Sequence, residues 1–296
     1  MFGSVLTAMI TPYNDKLEID YSAVARIAQH LATNGTDGIV VAGTTGESPN
    51  LTKDEKLNLF REVKQAVGSS CKVIAGVGTY STKESIEVTK KISDLGIDGI
   101  MAVVPYYNKP SQEGLYEHFK AIAGVTTLPM MLYNIPGRTG TNLLPQTVQR
   151  LAEIPNILCI KEAAGSMDQV SELKSILPES FAVYAGDDSL TLPMLSLGCN
   201  GIVSVASHVI GKHIKKMIDA FQIGDIKKAL EWHLLLYPIF KGMFVATNPV
   251  PVKYLLNEIG LKVGGYRLPI VGPSIPEQAF LKDLLVKIKE LPETKI

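Results

Sequence analysis

The stretch Ile157-Leu158-Cys159-Ile160-Lys161-Glu162 is an apolar run that ends on two charged residues, and it decides the fold prediction. A strand buried on both faces of a parallel sheet has this continuous apolar character. A lysine at the carboxyl end of such a strand is held in the mouth of the fold and partly removed from water. Desolvation disfavours the ammonium form, which leaves more neutral amine to attack a carbonyl. Lysines also commonly end edge strands in solvent, so this stretch alone leaves both interpretations open.

Seven other short apolar runs resemble this one, and a helix-length segment separates each run from the next. The eight predicted strands are 5–10, 39–42, 73–77, 100–104, 130–133, 158–161, 182–185 and 202–205. Eight βα units predict a closed (β/α)8 TIM barrel, a fold of roughly 250 residues. An open doubly wound sheet is the structural alternative. That fold usually has a glycine-rich dinucleotide turn after its first strand, where this chain has Thr11-Pro12-Tyr13.

The pattern changes after residue 224, because only helical segments are predicted there. These segments are 226–236, 238–246, 249–259 and 276–291, the last preceded by a capping box of Ser274 with Glu277. We therefore predict two domains, a catalytic barrel over residues 1–224 and a helical appendage over residues 225–296.

Composition excludes several classes of function. The 296 residues are 46% hydrophobic, and Lys plus Arg equals Asp plus Glu at 29 each, so no net field favours nucleic acid or an anionic membrane. The three cysteines are far apart and lack metal-ligand spacing. The most apolar window, 234–246, is too short to span a bilayer. We expect a soluble, cytoplasmic protein with neither nucleic-acid nor membrane partners.

In a barrel, the chemistry belongs at the carboxyl ends of the strands. The second strand leads into Gly43-Thr44-Thr45-Gly46-Glu47, whose hydroxyls and approachable amides could hold a carboxylate. The fourth strand leads to Tyr106 and Tyr107, while the fifth ends near Tyr133 and continues to Arg138. Tyrosines also favour barrel rims for packing reasons alone. Both interpretations of the tyrosines therefore remain open at this point.

Metal chemistry is not favoured by the remaining polar residues at the strand ends. Asp188 follows the seventh strand and is interpreted as a helix cap. The five histidines form neither an HxH nor an HExxH arrangement, so no metal site and no cofactor are predicted. Covalent amine catalysis by Lys161 is then the favoured chemistry.

Three motifs taken together resemble a known family. Gly43-Thr44-Thr45-Gly46-Glu47, Tyr133-Asn134-Ile135-Pro136-Gly137-Arg138-Thr139 and Ile160-Lys161-Glu162 are similar to the dihydrodipicolinate synthase and N-acetylneuraminate lyase superfamily. The resemblance covers essentially the whole chain, including the helical tail. Arginine at position 138 resembles the synthase branch, whereas the sialic-acid lyases differ at that point.

The resemblance implies condensation of pyruvate with L-aspartate semialdehyde, the first step of the diaminopimelate and lysine pathway. Lys161 would form an imine with pyruvate, and Arg138 would bind the carboxylate of the aldehyde substrate. The implied catalytic residues are Lys161, Tyr133, Thr44 and Tyr107, and the implied substrate-binding residues are Thr45, Arg138, Gly186 and Val203. A tyrosine at position 107 reaches across a subunit interface in this family, so we expect a homo-oligomer, most simply a tetramer built from dimers.

The same resemblance bears on regulation. In lysine-inhibited members of the family, the ligand is held by residues that match Ser48, Glu84 and Tyr106. Histidines are common at the positions of Lys53 and Lys56, and asparagine is common where this chain has Tyr80. Two ammonium groups near a bound lysine would oppose its charge. We therefore expect weak or absent inhibition by lysine.

Two rival functions are compatible with the barrel. The nearer is another pyruvate-dependent aldolase of the superfamily, such as a sugar-acid or N-acetylneuraminate lyase, and Arg138 argues against it. The more distant is a non-catalytic binding protein. Against it stands the intact set of four residues, Lys161, Tyr133, Thr44 and Tyr107. A substrate panel would separate the first rival, and borohydride trapping with pyruvate would separate the second.

Overall fold

Eight parallel strands close into one barrel in chain order in the computed structural model, which describes residues 2–292. The strands are β1 (Val5–Ala8), β2 (Gly38–Val41), β3 (Lys72–Gly76), β4 (Gly99–Val103), β5 (Met130–Asn134), β6 (Ile157–Glu162), β7 (Ala182–Ala185) and β8 (Gly201–Ser204). Strand β1 pairs with both β2 and β8, which closes the barrel. The predicted TIM barrel is confirmed, and each strand ends within two residues of its predicted limit.

Twelve α-helices accompany the strands within residues 2–292. They are α1 (Tyr21–Thr33), α2 (Lys53–Val67), α3 (Thr82–Lys91), α4 (Gln112–Ala123), α5 (Pro136–Thr139), α6 (Pro145–Ala152), α7 (Met167–Ile176), α8 (Thr191–Ser196), α9 (Ser207–Gln222), α10 (Ile226–Gly242), α11 (Val250–Glu258) and α12 (Ile275–Lys289). Asp20 caps α1, a capping box opens α2, and the predicted capping box of Ser274 with Glu277 opens α12. The sequence prediction missed α5, a single turn inside the loop that follows β5.

Helix α10 corrects the prediction for the C-terminal region. We expected a break at Pro238, yet the helix runs through this residue. A proline inside a helix costs about 3 kcal/mol. Trp232, Leu236 and Ile239 are all buried on the same face of α10, and each buried apolar side chain contributes roughly 1.5–3 kcal/mol. Their combined burial exceeds the cost of the proline, so the helix continues.

The structure describes the predicted junction between the two domains but not their outer limits. The outer limits at residues 1 and 296 lie outside the described residues, while the junction at 224 and 225 falls where Asp225 caps α10. Among the helices of residues 2–292, none combines the length and the apolar character that crossing a membrane requires.

The barrel interior is filled by side chains that alternate along each strand. Cys159 and Ala163 belong to the apolar cluster inside the barrel, as does Met131 on the neighbouring strand. Successive strand residues point to opposite faces, so Lys161, midway between Cys159 and Ala163, points inward as well. By the same alternation Tyr133 follows Met131 into the interior. The fold therefore brings both side chains to the inner wall at the carboxyl end of the barrel.

Candidate active site

Lys161 and Tyr133 form the centre of the candidate site. They are directly paired in the register between β5 and β6, and both are buried, with 5% and 3% of their surface exposed. The Lys161 Nζ lies 4.2 Å from the centroid of the Tyr133 ring, a distance at which the electron-rich ring face attracts a cation. The amine is therefore held inside the fold beside a phenol that can donate and accept protons. The alternative of a solvent-exposed edge-strand lysine is wrong.

The next pair of residues along the same two strands supports the first. Asn134 Nδ2 donates to both carboxylate oxygens of Glu162, at 3.2 and 3.0 Å. Ala164 N and Gln169 Nε2 donate to the same carboxylate at 2.7 and 3.1 Å. Burial raises the pKa of Glu162, while the bonds from Asn134 and the other donors oppose that rise. This network fixes the strand ends that carry Tyr133 and Lys161, and the sequence prediction missed its amide members.

Gly186 leaves room for the lysine. A Cβ at this position would lie 3.2 Å from Lys161 Cε and 2.6 Å from the Cβ of Ala163. The second distance is too short for two carbon atoms, so any larger residue here would displace one of its neighbours. Gly186 N also donates to the Glu162 carbonyl oxygen at 2.8 Å. The structure therefore brings Gly186 to the lysine, as the resemblance implies.

Val203 lies on β8 with its side chain in the barrel interior, 1% exposed. The strand end beyond it is held by Asp188, whose carboxylate accepts from the backbone of Val205 and Ala206 at 3.1 and 3.2 Å. Burial raises the pKa of Asp188 to about 6. A single 3-10 turn, Asp188–Leu190, follows β7, and its cap is Asp187, which accepts from Ser189 N. The interpretation of Asp188 as a helix cap is therefore wrong. Asp188 instead shapes the turn after β8.

An open cavity of about 220 Å³ lies at the barrel mouth. Of the predicted site residues, its lining includes Thr44, Tyr133, Arg138, Ser48 and Tyr106. The six other described candidates are not part of this lining, namely Lys161, Thr45, Glu84, Tyr107, Gly186 and Val203. Tyr133 connects the cavity to the lysine, because it lines the cavity and its ring also contacts the Lys161 amine. The cavity thus joins an arginine, a threonine and a tyrosine above a buried amine.

Thr45 is held from outside the barrel. Its Oγ1 accepts a hydrogen bond from Asn248 Nδ2 at 2.9 Å, and Asn248 comes from the segment between α10 and α11. Two residues beyond Thr45, Glu47 adopts a left-handed backbone with φ of 57° and pairs with Lys253 of α11 at 3.0 Å. The sequence prediction did not include Asn248 or Lys253, which lie about 200 residues from their partners.

Tyr107 lies apart from the cavity. Its side chain is 92% exposed, and its backbone has a φ of 76°, which is uncommon for a residue with a side chain. Within the described part of this single chain, Tyr107 therefore does not join Tyr133 and Thr44. The relay that includes Tyr107 stays a prediction.

The residues implied in lysine binding lie beside the cavity. The rings of Tyr80 and Tyr106 meet edge to face with centroids 5.4 Å apart. Burial raises the pKa of Tyr106, and Tyr80 and Glu84 raise it further. Lys56 is 7% exposed, and burial lowers the pKa of its ammonium while the charge of Glu84 opposes that change. An ammonium of the chain itself therefore already lies within the field of Glu84.

Lys53, the other lysine at a changed position, forms an ion pair with Glu87. Among residues 2–292, no group of three or more His, Cys, Asp or Glu side chains is arranged to hold a metal ion.

Comparison with known proteins gives a consistent result. A family model described as the dihydrodipicolinate synthetase family matches residues 1–288. A protein of Desulforamulus reducens named 4-hydroxy-tetrahydrodipicolinate synthase is 57% identical over 285 residues, which cover 96% of each chain. A protein of the same name from Thermosynechococcus vestitus is also 57% identical over 285 residues, with the same coverage. The crystal structure of a DHDPS from Cyanidioschyzon merolae with lysine bound superposes with a TM-score of 0.96 at 48% identity, covering 98% of this chain and 99% of that one.

Proposed function

Because the chain belongs to the dihydrodipicolinate synthetase family, we propose that it condenses pyruvate with L-aspartate semialdehyde through an imine on Lys161. This is the reaction of a 4-hydroxy-tetrahydrodipicolinate synthase, the name that its relatives of 57% identity carry. The observation that carries the proposed mechanism is the buried contact between the Lys161 amine and the Tyr133 ring at the mouth of a closed barrel.

The first half of the reaction activates pyruvate. The neutral Lys161 amine attacks the ketone carbon, and loss of water leaves a protonated imine. This cation withdraws electrons, so the pyruvate methyl group loses a proton and an enamine forms. Tyr133 carries protons during these steps, because a phenol alternates between donor and acceptor. The Thr45 hydroxyl and its neighbouring amides hold the pyruvate carboxylate.

The second half forms the carbon–carbon bond. The enamine carbon attacks the aldehyde carbon of L-aspartate semialdehyde, and Tyr133 donates a proton to the resulting oxygen. Arg138 lines the cavity and binds the carboxylate of this second substrate with its planar, permanently charged guanidinium. Thr44 and Tyr107 connect Tyr133 to solvent. Backbone groups of Gly186 and Val203 line the imine. The amino group of the condensed L-aspartate semialdehyde then attacks the imine carbon, which closes the ring of the product, breaks the bond to Lys161 and restores its amine.

Assembly, domain organisation and location are proposed on the same basis. We propose a cytoplasmic homotetramer built from dimers, in which Tyr107 of one subunit completes the site of its neighbour. The exposure of Tyr107 in the single chain supports this arrangement. We also propose that residues 1–224 form the catalytic barrel and that residues 225–296 form an appendage which supports the loop containing Thr45.

Borohydride trapping tests the proposal. With pyruvate present, reduction of the imine should leave a permanent adduct on Lys161 that peptide mass mapping locates. Lys161→Ala and Lys161→Arg should lose both the adduct and most of the activity, since neither supplies a neutral amine at that position. Lys282→Arg, on an exposed position of α12, is the matched control and should be trapped as the native chain is. Labelling of a different lysine would overturn the assignment.

A further inference from the structure

Asn248 is a buried amide that contacts the candidate site from the C-terminal region. It is 7% exposed, and its Nδ2 donates to Thr45 Oγ1 at 2.9 Å. Its Oδ1 is also buried and has no hydrogen-bond partner among residues 2–292. An amide held this way, beside a hydroxyl expected to bind substrate, calls for a reason beyond packing.

The loop that contains Thr45 has little freedom to move. Lys253 Nζ donates to Glu47 Oε1 at 3.0 Å and to the Thr11 carbonyl oxygen at 3.1 Å, with both ionic side chains buried. Thr11 Oγ1 donates to the Gly46 carbonyl oxygen at 2.7 Å. With the backbone fixed by these bonds, the main remaining variable at Thr45 is the direction in which its hydroxyl hydrogen points.

The chemistry of an amide decides that direction. An amide nitrogen only donates, so Thr45 Oγ1 must act as the acceptor toward Asn248. The present orientation leaves one N–H and the oxygen of Asn248 without partners, whereas the reversed amide would leave both N–H groups without acceptors, and unpaired buried donors are the rarer case. Within the described residues the Thr45 hydroxyl donates to no other group. Its hydrogen therefore has no acceptor among these residues.

We propose that Asn248 is a positioning residue that keeps the Thr45 hydroxyl oriented as a hydrogen-bond donor toward the substrate carboxylate. This inference rests on the proposed function, because it takes Thr45 as the residue that holds the pyruvate carboxylate. Asn248 acts through Thr45 and does not itself bond to the reacting atoms. Its effect should therefore appear in pyruvate binding and should disappear when the Thr45 hydroxyl is removed.

A double-mutant cycle on the full-length protein tests this coupling. The variants are Asn248→Ala, Thr45→Val and the combination of both. The readouts are the KM for pyruvate, kcat, and the pyruvate concentration that gives half-maximal borohydride trapping. Asn248→Ala should raise the KM for pyruvate roughly fivefold, the loss expected for one hydrogen bond, and kcat should stay within about twofold because the reacting groups are unchanged. In the Thr45→Val background, the same substitution should change the KM by less than about 1.5-fold.

Asn248→Asp adds a directional test. A carboxylate accepts only, so the Thr45 hydroxyl would turn toward it and be lost to the substrate. We expect a KM for pyruvate at least about tenfold above that of the Asn248→Ala variant. Asn257→Ala is the matched control, because Asn257 is an asparagine of the same region whose bonds within the described residues go only to backbone groups, Gly264 O and Val263 N. It should leave the pyruvate KM unchanged.

The outcomes separate this inference from the proposed function. If the native protein forms no adduct with pyruvate, the proposed function is wrong. If the native protein is trapped but Asn248→Ala raises the KM for pyruvate by the same factor with and without the Thr45 hydroxyl, Asn248 is only structural and the inference is overturned. A loss of kcat with unchanged pyruvate KM would overturn it as well. If Asn248→Asp does not fold, the cycle with alanine and valine still decides.

Discussion

Replacing Lys253 by methionine should strongly destabilise the protein. The side chains of Lys253 and Glu47 are 0% and 1% exposed, and their charged atoms are 3.0 Å apart. Burial lowers the pKa of Lys253 to about 8, and the charge of Glu47 opposes that decrease. Methionine keeps most of the length of the side chain but leaves the Glu47 carboxylate buried without its cation. Breaking a buried pair on one side costs about 3–5 kcal/mol.

The size of the protein converts this cost into a melting shift. Unfolding entropy of about 2.1 cal/mol/K per residue gives roughly 0.6 kcal/mol/K for a chain of this length, so Tm should fall by about 5–8 °C. Urea unfolding at fixed protein concentration measures the same change and avoids a shift caused by altered assembly. Lys228→Met is the matched control. Lys228 and its partner Glu231 are 53% and 52% exposed, and such pairs contribute less than about 1 kcal/mol.

A second substitution identifies the cause. If the loss arises from an unpaired charge, adding Glu47→Gln to Lys253→Met should restore a large part of the stability, because no ion then remains buried. A purely volumetric effect would leave the double variant as unstable as the single one. A cost below about 1 kcal/mol for Lys253→Met would refute the reasoning, since it would mean that the pair is hydrated in solution.

Four further predictions concern catalysis and regulation. Arg138→Ala should lower kcat/KM for L-aspartate semialdehyde roughly 100-fold while borohydride trapping of pyruvate survives, and loss of both with a native circular dichroism spectrum would contradict the role of Arg138. Mixed Tyr107→Phe and Lys161→Ala subunits should regain about a quarter of native activity, because random pairing gives half of the dimers one complete site out of two. Native mass spectrometry verifies the hybrids, and verified hybrids without activity would contradict the shared site. Gly186→Ala should lower kcat roughly 100-fold without unfolding the protein, because the new methyl group displaces the lysine side chain, and unchanged kinetics would contradict this. Free lysine should not inhibit the enzyme by half below about 1 mM at matched ionic strength, because the ammonium of Lys56 already lies near Glu84, which would otherwise attract the ligand. Sub-millimolar inhibition would contradict this.

The barrel could be predicted from the sequence because its strands are buried on both faces and its helices begin at recognisable caps. The strand ends were less predictable, since pairing rather than hydrophobicity sets them. The first apolar run continues to Ile10, yet β1 ends at Ala8. The Ile10 N–H donates to the His208 ring at 3.2 Å instead of to a neighbouring strand. A partner 198 residues away leaves no local signal.

The absence of a local signal for distant partners also explains which residues of the candidate site the sequence indicated. Lys161, Tyr133 and the loop containing Thr45 lie at strand ends, where the fold itself indicates chemistry. Asn248 and Lys253 lie in a helical tail, where a single polar residue normally faces solvent. Nothing near Lys253 in the sequence distinguishes it from a surface lysine, and only its position over the Tyr13 ring at 4.2 Å, beside Glu47, identifies it as buried.

The loop that is proposed to bind the pyruvate carboxylate is held from two directions. Strand β2 delivers Thr44 and Thr45 from inside the barrel, while the C-terminal region fixes Thr45 through Asn248 and Glu47 through Lys253. Glu47 has a left-handed backbone that a non-glycine residue adopts only where the surroundings stabilise it. Since the stabilising cation comes from α11, we expect the loop to hold this conformation only when the C-terminal region is packed against the barrel. On this hypothesis the helical appendage supports the candidate site from outside, because within the described residues it supplies no residue to the cavity wall.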